Sequence, residues 1–169
     1  MEQWQSGDKN AFEALFHEYE RAVFKDAYLI TGSREDAEDI LQEVFTSVWR
    51  SRHTFDPNKG KLSTWLHRIT VNECFKKRRK EKQRPLTLDS IDLHAGKDSR
   101  EEVLQQTNHE NLTDALNTLD ARHRAVLVLR YFDDLSYQEI AQALGVPLGT
   151  VKSRINHALK LLRVRLGNE

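Results

Sequence analysis

LSYQEIAQALGVPLGTVKSRINHALKLL, running from Leu135 to Leu162, decides the fold. Ser136 is a natural N-cap, because its hydroxyl can accept from the free amides of a first helical turn. Glu139 three residues later completes a capping box. Ile140, Ala141 and Leu144 give this short helix an apolar face, and Gly145 stops it, since glycine accepts the left-handed backbone a helix end needs. Pro147 suits the start of a second helix. There Val151, Ile155, Ala158, Leu159 and Leu162 recur at spacings of three and four and so share a buried side. The opposite side carries Gly149, Lys152, Ser153, Asn156, His157 and Lys160. Two are cations, three can bond to base edges, and Gly149 offers no obstruction to a phosphate. The pattern is that of a helix-turn-helix whose second helix enters a major groove. On periodicity alone, an ordinary helical hairpin with a solvated face remains open.

The 169 residues allow one ordinary domain or two small ones. Apolar residues make up 38% and charged residues 31%, which suits a soluble, helix-rich chain with modest cores. Ala125 to Leu129 is far too short to span a bilayer, and the N-terminus, MEQWQSGDK, lacks the basic start and apolar core of a signal peptide. The single Cys74 excludes an intrachain disulfide and reads as a small buried side chain. These features point to the cytoplasm. The net charge of zero hides four blocks: −6 over residues 1–58, +8 over 59–84, −6 over 85–120 and +4 over 121–169. Two basic blocks separated by an acidic one suggest two nucleic-acid contacts.

Upstream, a helix is expected from about Asn10 to Ile30, with Asp8 as its cap and Phe12, Leu15, Phe16, Tyr19, Val23, Ala27 and Ile30 on one face. Ser33 caps a second helix, in which Ala37, Ile40, Leu41, Val44, Phe45 and Val48 form an apolar stripe. Asp36, Asp39, Gln42, Glu43 and Thr46 line its other side. That acidic ridge is either a solvated face or a dock for a basic helix. FDPNKG, Phe55 to Gly60, is a turn-rich loop. A third helix, about Ser63 to Gln83, has apolar residues on two sides and is expected to be wedged between partners. Arg68, Asn72, Lys76 and Arg79 make a polar stripe along it. The run from Lys76 to Lys82 is either a solvated helix end or, with the aromatics before it, a binder of melted DNA. Residues 85–107 read as an acidic, flexible linker. Beyond it come Leu112, Ala115, Leu116 and Leu119, then Ala125, Val126, Leu129, Tyr131 and Phe132 behind Asp120 as cap. The expected fold is all-α: two small helical domains joined by a flexible linker, over 1–84, 85–107 and 108–169. The second is a four-helix, helix-turn-helix domain.

Signals of catalysis are absent. His17 and His109 lack the second histidine of a zinc-protease helix, no glycine loop cradles a phosphate, and no histidine lies near Asp36, Asp39 and Glu43 in sequence. Neither an enzyme activity nor a metal or other cofactor is expected.

DAEDILQEVF (Asp36 to Phe45), LSTWLHRITVNECFKKRRK (Leu62 to Lys80), NTLDARHRAVLVL and RYFDDLSYQEIAQALGVPLGTVKSRI (Arg130 to Ile155) together resemble bacterial RNA polymerase sigma factors of the extracytoplasmic-function type, which have only regions 2 and 4. The resemblance implies a protein that binds core RNA polymerase and promoter DNA. In it Asp36, Asp39, Gln42, Glu43 and Phe45 correspond to the polymerase-binding helix. Phe55, Lys59, Lys61, Arg68, Asn72, Lys76 and Arg79 correspond to the part that takes the −10 element. Gly149, Thr150, Lys152, Ser153, Arg154, Asn156 and His157 correspond to the part that takes the −35 element. It also implies control by an anti-sigma partner; no membrane insertion and a free monomer are expected. Two positions depart from the family's habit: Lys76 stands where an aspartate is common, and His157 where an arginine is common. A free-standing helix-turn-helix repressor would need a dimerisation helix, which is not evident. A protein-interaction adaptor would leave the basic recognition face unexplained.

Overall fold

The computed structural model describes residues 3–83 and 113–166. The expected linker and both of its boundaries lie outside these residues. Among those described there is no strand, and no helix is long and apolar enough to cross a membrane. The first unit comprises helices α1 (Lys9–Thr31), α2 (Arg34–Ser51) and α3 (Leu62–Gln83). The second comprises a helical turn over 113–117, then α4 (Ala121–Tyr131), α5 (Tyr137–Leu144) and α6 (Leu148–Leu166).

Local chemistry sets these ends. Asp8 accepts from the amides of Asn10 and Ala11, Ser33 from Asp36, and Asp120 from Arg122 and His123, so each helix begins where its side-chain cap stands. Between α1 and α2 the chain reverses at Gly32, whose φ of 76° is left-handed. The Ser136–Glu139 capping box forms in full, and Gly145 ends α5 with φ 62°. Ser136→Ala removes one half of that box, so it is expected to lower stability by about 1 kcal/mol. Urea unfolding of the full chain checks this through a lower midpoint at unchanged slope.

In the first unit Ala37, Ile40, Val44, Phe45 and Val48 of α2 pack against Leu15, Val23, Ala27 and Ile30 of α1. Phe45 sits edge-on to Phe16, with centroids 4.7 Å apart, and Phe12 meets Trp49 at 4.9 Å. Such pairs add about 0.5–1.5 kcal/mol beyond the area they bury. Helix α3 is buried on two sides, through Leu66 and through Val71 and Cys74. The wedge expected from its double apolar pattern is therefore present: α3 packs on α1 and α2 and also on α4 and α5. Burial pushes the Cys74 thiol pKa well up, so this cysteine is an inert packing group.

The N-terminal turn Gln3–Ser6 carries no helical period, and its part in the core is not evident in the sequence. Trp4 is buried against Phe55 and Trp65, each with ring centroids 6.1 Å away. Gln5 Nε2 donates to the Phe55 carbonyl at 2.8 Å and to that of Arg52 at 3.1 Å. Together they pin the start of the loop at residues 55–60.

The second unit closes over Leu116, Leu119, Val126, Leu129, Ile140, Val151, Ile155 and Ala158. Tyr131, which the sequence pattern groups with the apolar set of α4, is instead 54% exposed. At the turn before α5, Asp134 takes φ 54°, a conformation aspartate tolerates better than most residues. The Leu135 amide then bonds back to the Leu129 carbonyl at 3.0 Å.

The two units pack directly on one another, which the linker reading did not anticipate. Helices α4 and α5 lie against α1 and α3. At one end of the seam Gly32 faces Asn117, whose Oδ1 accepts from Arg124 Nη1 at 2.8 Å. Arg124 is buried, with its Nε donating to the Leu119 carbonyl at 3.1 Å, and burial together with Arg78 lowers its pKa to about 10.

Candidate nucleic-acid interface

On α6 the buried side faces α4 and α5, leaving Gly149, Lys152, Ser153, Asn156 and His157 exposed and Thr150 and Arg154 half-buried. Ser153 Oγ donates to the Thr150 carbonyl at 3.0 Å, so its hydroxyl is turned back on the helix. His157 is not free: its Nδ1 lies 3.0 Å from Nε2 of His123 on α4.

In the first unit, the residues expected at the −10 element fall into two clefts on successive turns of α3. Phe55, Lys59, Lys61, Trp65 and Arg68 line one of about 450 Å³. Asn72, Lys76 and Arg79 line the other, of about 500 Å³. Phe55 is 8% exposed and held between Trp4 and Trp65, so it forms the floor of its cleft. Lys76 is half-exposed and pairs with Glu73 at 2.7 Å.

One residue of the second unit reaches the first cleft. Gln142 of α5 lines it, donating from Nε2 to the Lys59 carbonyl at 3.1 Å. Lys61 Nζ meets Glu139 Oε1 at 3.0 Å. The Ser136 backbone N–H, followed by the Lys61 ammonium, holds the Glu139 carboxyl down at about 2. Glu139 thus caps α5 and ties it to the start of α3 with the same side chain.

On the acidic ridge of α2, Asp39, Gln42 and Glu43 are exposed and Asp36 is half-buried. Phe45, expected with them at the polymerase surface, is only 5% exposed and belongs to the core. A basic side chain of this same chain already docks on part of the ridge. Lys77 Nζ lies 3.1 Å from Asp36 Oδ1 and 2.7 Å from Asp39 Oδ2.

Sequence reasoning missed a buried ionic cluster at the seam. Asp26 of α1 is 1% exposed, and His67 Nδ1 of α3 lies 2.8 Å from its Oδ2. Lys25 Nζ bonds both to the Phe132 carbonyl, at 3.2 Å, and to the Asp133 carboxylate, bridging the units. Asp26 Oδ1 and Asp133 Oδ2 have no hydrogen-bond partner. Burial and the neighbouring Asp26 raise the Asp133 pKa to about 6. Burial lowers that of His67, but the hydrogen bond and charge of Asp26 and the charge of Asp133 more than offset this, so it rises. Ligand atoms of Asp26, His67 and Asp133 lie within 4.8 Å of one another, the spacing of a metal site. The Lys25 ammonium supplies the cation there. One signal was available: Asp26 follows Val23 by three residues and precedes Ile30 by four, which sets it on the apolar face of α1.

The chain thus joins a three-helix unit with a basic, aromatic-lined helix to a helix-turn-helix unit. The Sigma-70 region 2 profile matches residues 15–84, and the Sigma-70, region 4 profile matches residues 109–162. The ECF RNA polymerase sigma factor SigW of Bacillus subtilis (strain 168) is 32% identical, over 98% of this chain and 94% of its own. The ECF RNA polymerase sigma factor RpoE of Cereibacter sphaeroides is 35% identical, over 92% and 86%. This chain therefore belongs to the ECF RNA polymerase sigma factors. Its fold is shared with CnrH, solved in complex with the cytosolic domain of CnrY: TM-score 0.73, 24% identity, 99% of this chain and 94% of that one. It is also shared with RpoE of Bartonella quintana, solved with the anti-sigma factor NepR: TM-score 0.70, 24% identity, 92% and 96%.

Proposed function

We propose that this sigma factor divides its work among three surfaces. The exposed acids and amide of α2, chiefly Asp39, Gln42 and Glu43, dock on a basic surface of core RNA polymerase. The α3 clefts, through Lys59, Lys61, Arg68, Asn72, Lys76 and Arg79, take melted −10 DNA, with phosphates meeting cations and bases meeting the Trp65 ring. The outer face of α6, from Gly149 to His157, reads the −35 element in the major groove. The observation that carries this reading is the presence of both units in one chain, each with its cationic or polar face exposed. Work of this kind places the protein in the cytoplasm, beside the chromosome. An anti-sigma partner is proposed by analogy with the solved relatives. Leu161 and Val164, 42% and 58% exposed, offer it apolar contact on α6.

Asp39→Lys/Glu43→Lys is expected to abolish promoter-dependent initiation with core polymerase while leaving the fold intact. Asp39 gives up one contact to Lys77, and exposed ion pairs contribute about 0–1 kcal/mol, so thermal unfolding shifts little. Retained pull-down of core polymerase by the double variant would contradict the docking role. Transcript initiation from a promoter bearing both elements tests the whole assignment, with an otherwise identical template lacking the −35 element as control.

A further inference from the structure

Three residues from two helices form a relay that ends on the recognition face. Asp120 caps α4 with Oδ1, accepting from the amides of Arg122 and His123 at 2.9 Å each. Its Oδ2 lies 3.0 Å from His123 Nδ1. Although burial pushes its carboxyl up, those amides and His123 hold it below the usual carboxylate range, so Asp120 is ionised and accepts only. An ionised carboxylate 3.0 Å from Nδ1 favours the tautomer that carries its proton on that nitrogen. In the neutral ring this leaves Nε2 bare, and that nitrogen lies 3.0 Å from His157 Nδ1. Two bare nitrogens cannot bond, so His157 donates from Nδ1 and its own Nε2 is left with a lone pair. The His123 side chain is only 18% exposed, which fixes its ring, whereas His157 stands in solvent on the polar face of α6.

We propose that His157 is a hydrogen-bond acceptor that selects an exocyclic amino group, cytosine N4 or adenine N6, in the −35 element, and that Asp120 and His123 are the positioning residues that set its tautomer. This rests on the reading of α6 as the −35 helix. The major groove presents donors only at those amino groups; guanine offers acceptors in N7 and O6, and thymine an acceptor and a methyl. A lone-pair nitrogen therefore favours C or A and disfavours G. An arginine at the same position makes the opposite choice, because its paired donors match guanine.

The test uses the full chain with core polymerase at pH 8, where ordinary imidazoles are neutral, and a promoter library randomised over the −35 element. Wild type is expected to favour A or C by roughly tenfold or more at one position. His157→Arg should move that preference to G. His123→Phe keeps a ring but removes the acceptor, so it should erase the preference at that position alone. Nitrogen-15 spectra of the unmutated chain, labelled at histidine, give a second readout that needs no variant to fold: His157 should show a protonated Nδ1 and a bare Nε2. A protonated Nε2 in the free chain overturns the proposal. So does a library preference lost in His157→Ala but intact in His123→Phe. If neither His157→Ala nor Asn156→Ala alters any preference, the −35 assignment of the face itself fails, and the relay proposal falls with it.

Discussion

Lys25→Glu is expected to part the two helical units. Lys25 is the cation of a buried cluster and the direct bridge to Phe132 and Asp133. The substitution removes it and sets a third carboxylate beside Asp26, whose Oδ1 is 3.6 Å from the ammonium, and beside Asp133. Removing one partner of a fully buried ion pair costs about 3–5 kcal/mol, and the 40% exposure of Lys25 brings the cost here well below that. Parting the units relieves that cost by letting water reach the acids, so the opening constant should rise by roughly tenfold. Fluorescent labels placed at exposed Arg50 and Lys160 report it as a longer distance in the free chain. Opening also withdraws Gln142 and Glu139 from Lys59 and Lys61, so single-stranded −10 DNA should bind the variant more tightly. An unchanged distance distribution would show that the cluster does not hold the seam.

The same cluster makes closure depend on pH. Closing raises the Asp133 pKa from its ordinary 3.8 to about 6, through burial and the neighbouring Asp26, so the closed form binds more protons. Its added stability is full below the ordinary carboxylate value and is lost as pH rises through about 6. Each proton taken up contributes a slope of about 1.4 kcal/mol per pH unit within that window. The label distance should therefore lengthen between about pH 4 and 6, and this trend should weaken in Asp133→Asn.

Deleting ten residues from 85–107 is expected to abolish initiation that needs both promoter elements. A flexible coil of 23 residues, the length of this segment, would span about 26 Å relaxed and about 76 Å stretched, at roughly 3.3 Å per residue. One duplex turn is already about 34 Å. The two elements are expected to be held with the seam open and the segment extended between the units. Removing ten residues leaves a reach of about 43 Å, little more than one duplex turn. Adding ten Gly/Ser residues should leave substantial activity, because effective concentration falls only gradually with length. Circular dichroism should show the helices unchanged in both. A deletion variant that initiates as well as wild type would remove the bridging role from this segment.

Helix positions, caps and faces were legible in the sequence because they rest on interactions within four residues. Asp8, Ser33, Asp120 and Ser136 cap the helices they precede, and Gly32 and Gly145 take the left-handed turns that end two of them. The polar faces of α2, α3 and α6 could be read from the same periodicity, and so could the double-sided burial of α3. Periodicity set Phe45 on the apolar stripe, where the rings of Phe12 and Phe16 hold it, and only the family resemblance put it at the polymerase surface. Where periodicity gave no answer, the deciding contact was remote. Trp4 has no period to place it, and Phe55 and Trp65 bury it. Asp26 reads as one more helical acid until His67 and Lys25 enclose it. The bond from Lys25 to Asp133 spans 108 positions, and the contact from His123 to His157 spans 34. Charge and hydrogen-bonding groups declare what they can pair with, but not which partner the folded chain brings within reach. The sequence alone therefore determined two helical units and their exposed faces. The tertiary structure decided that the units close on each other, which acids are buried between them, and which ring nitrogen of His157 faces out.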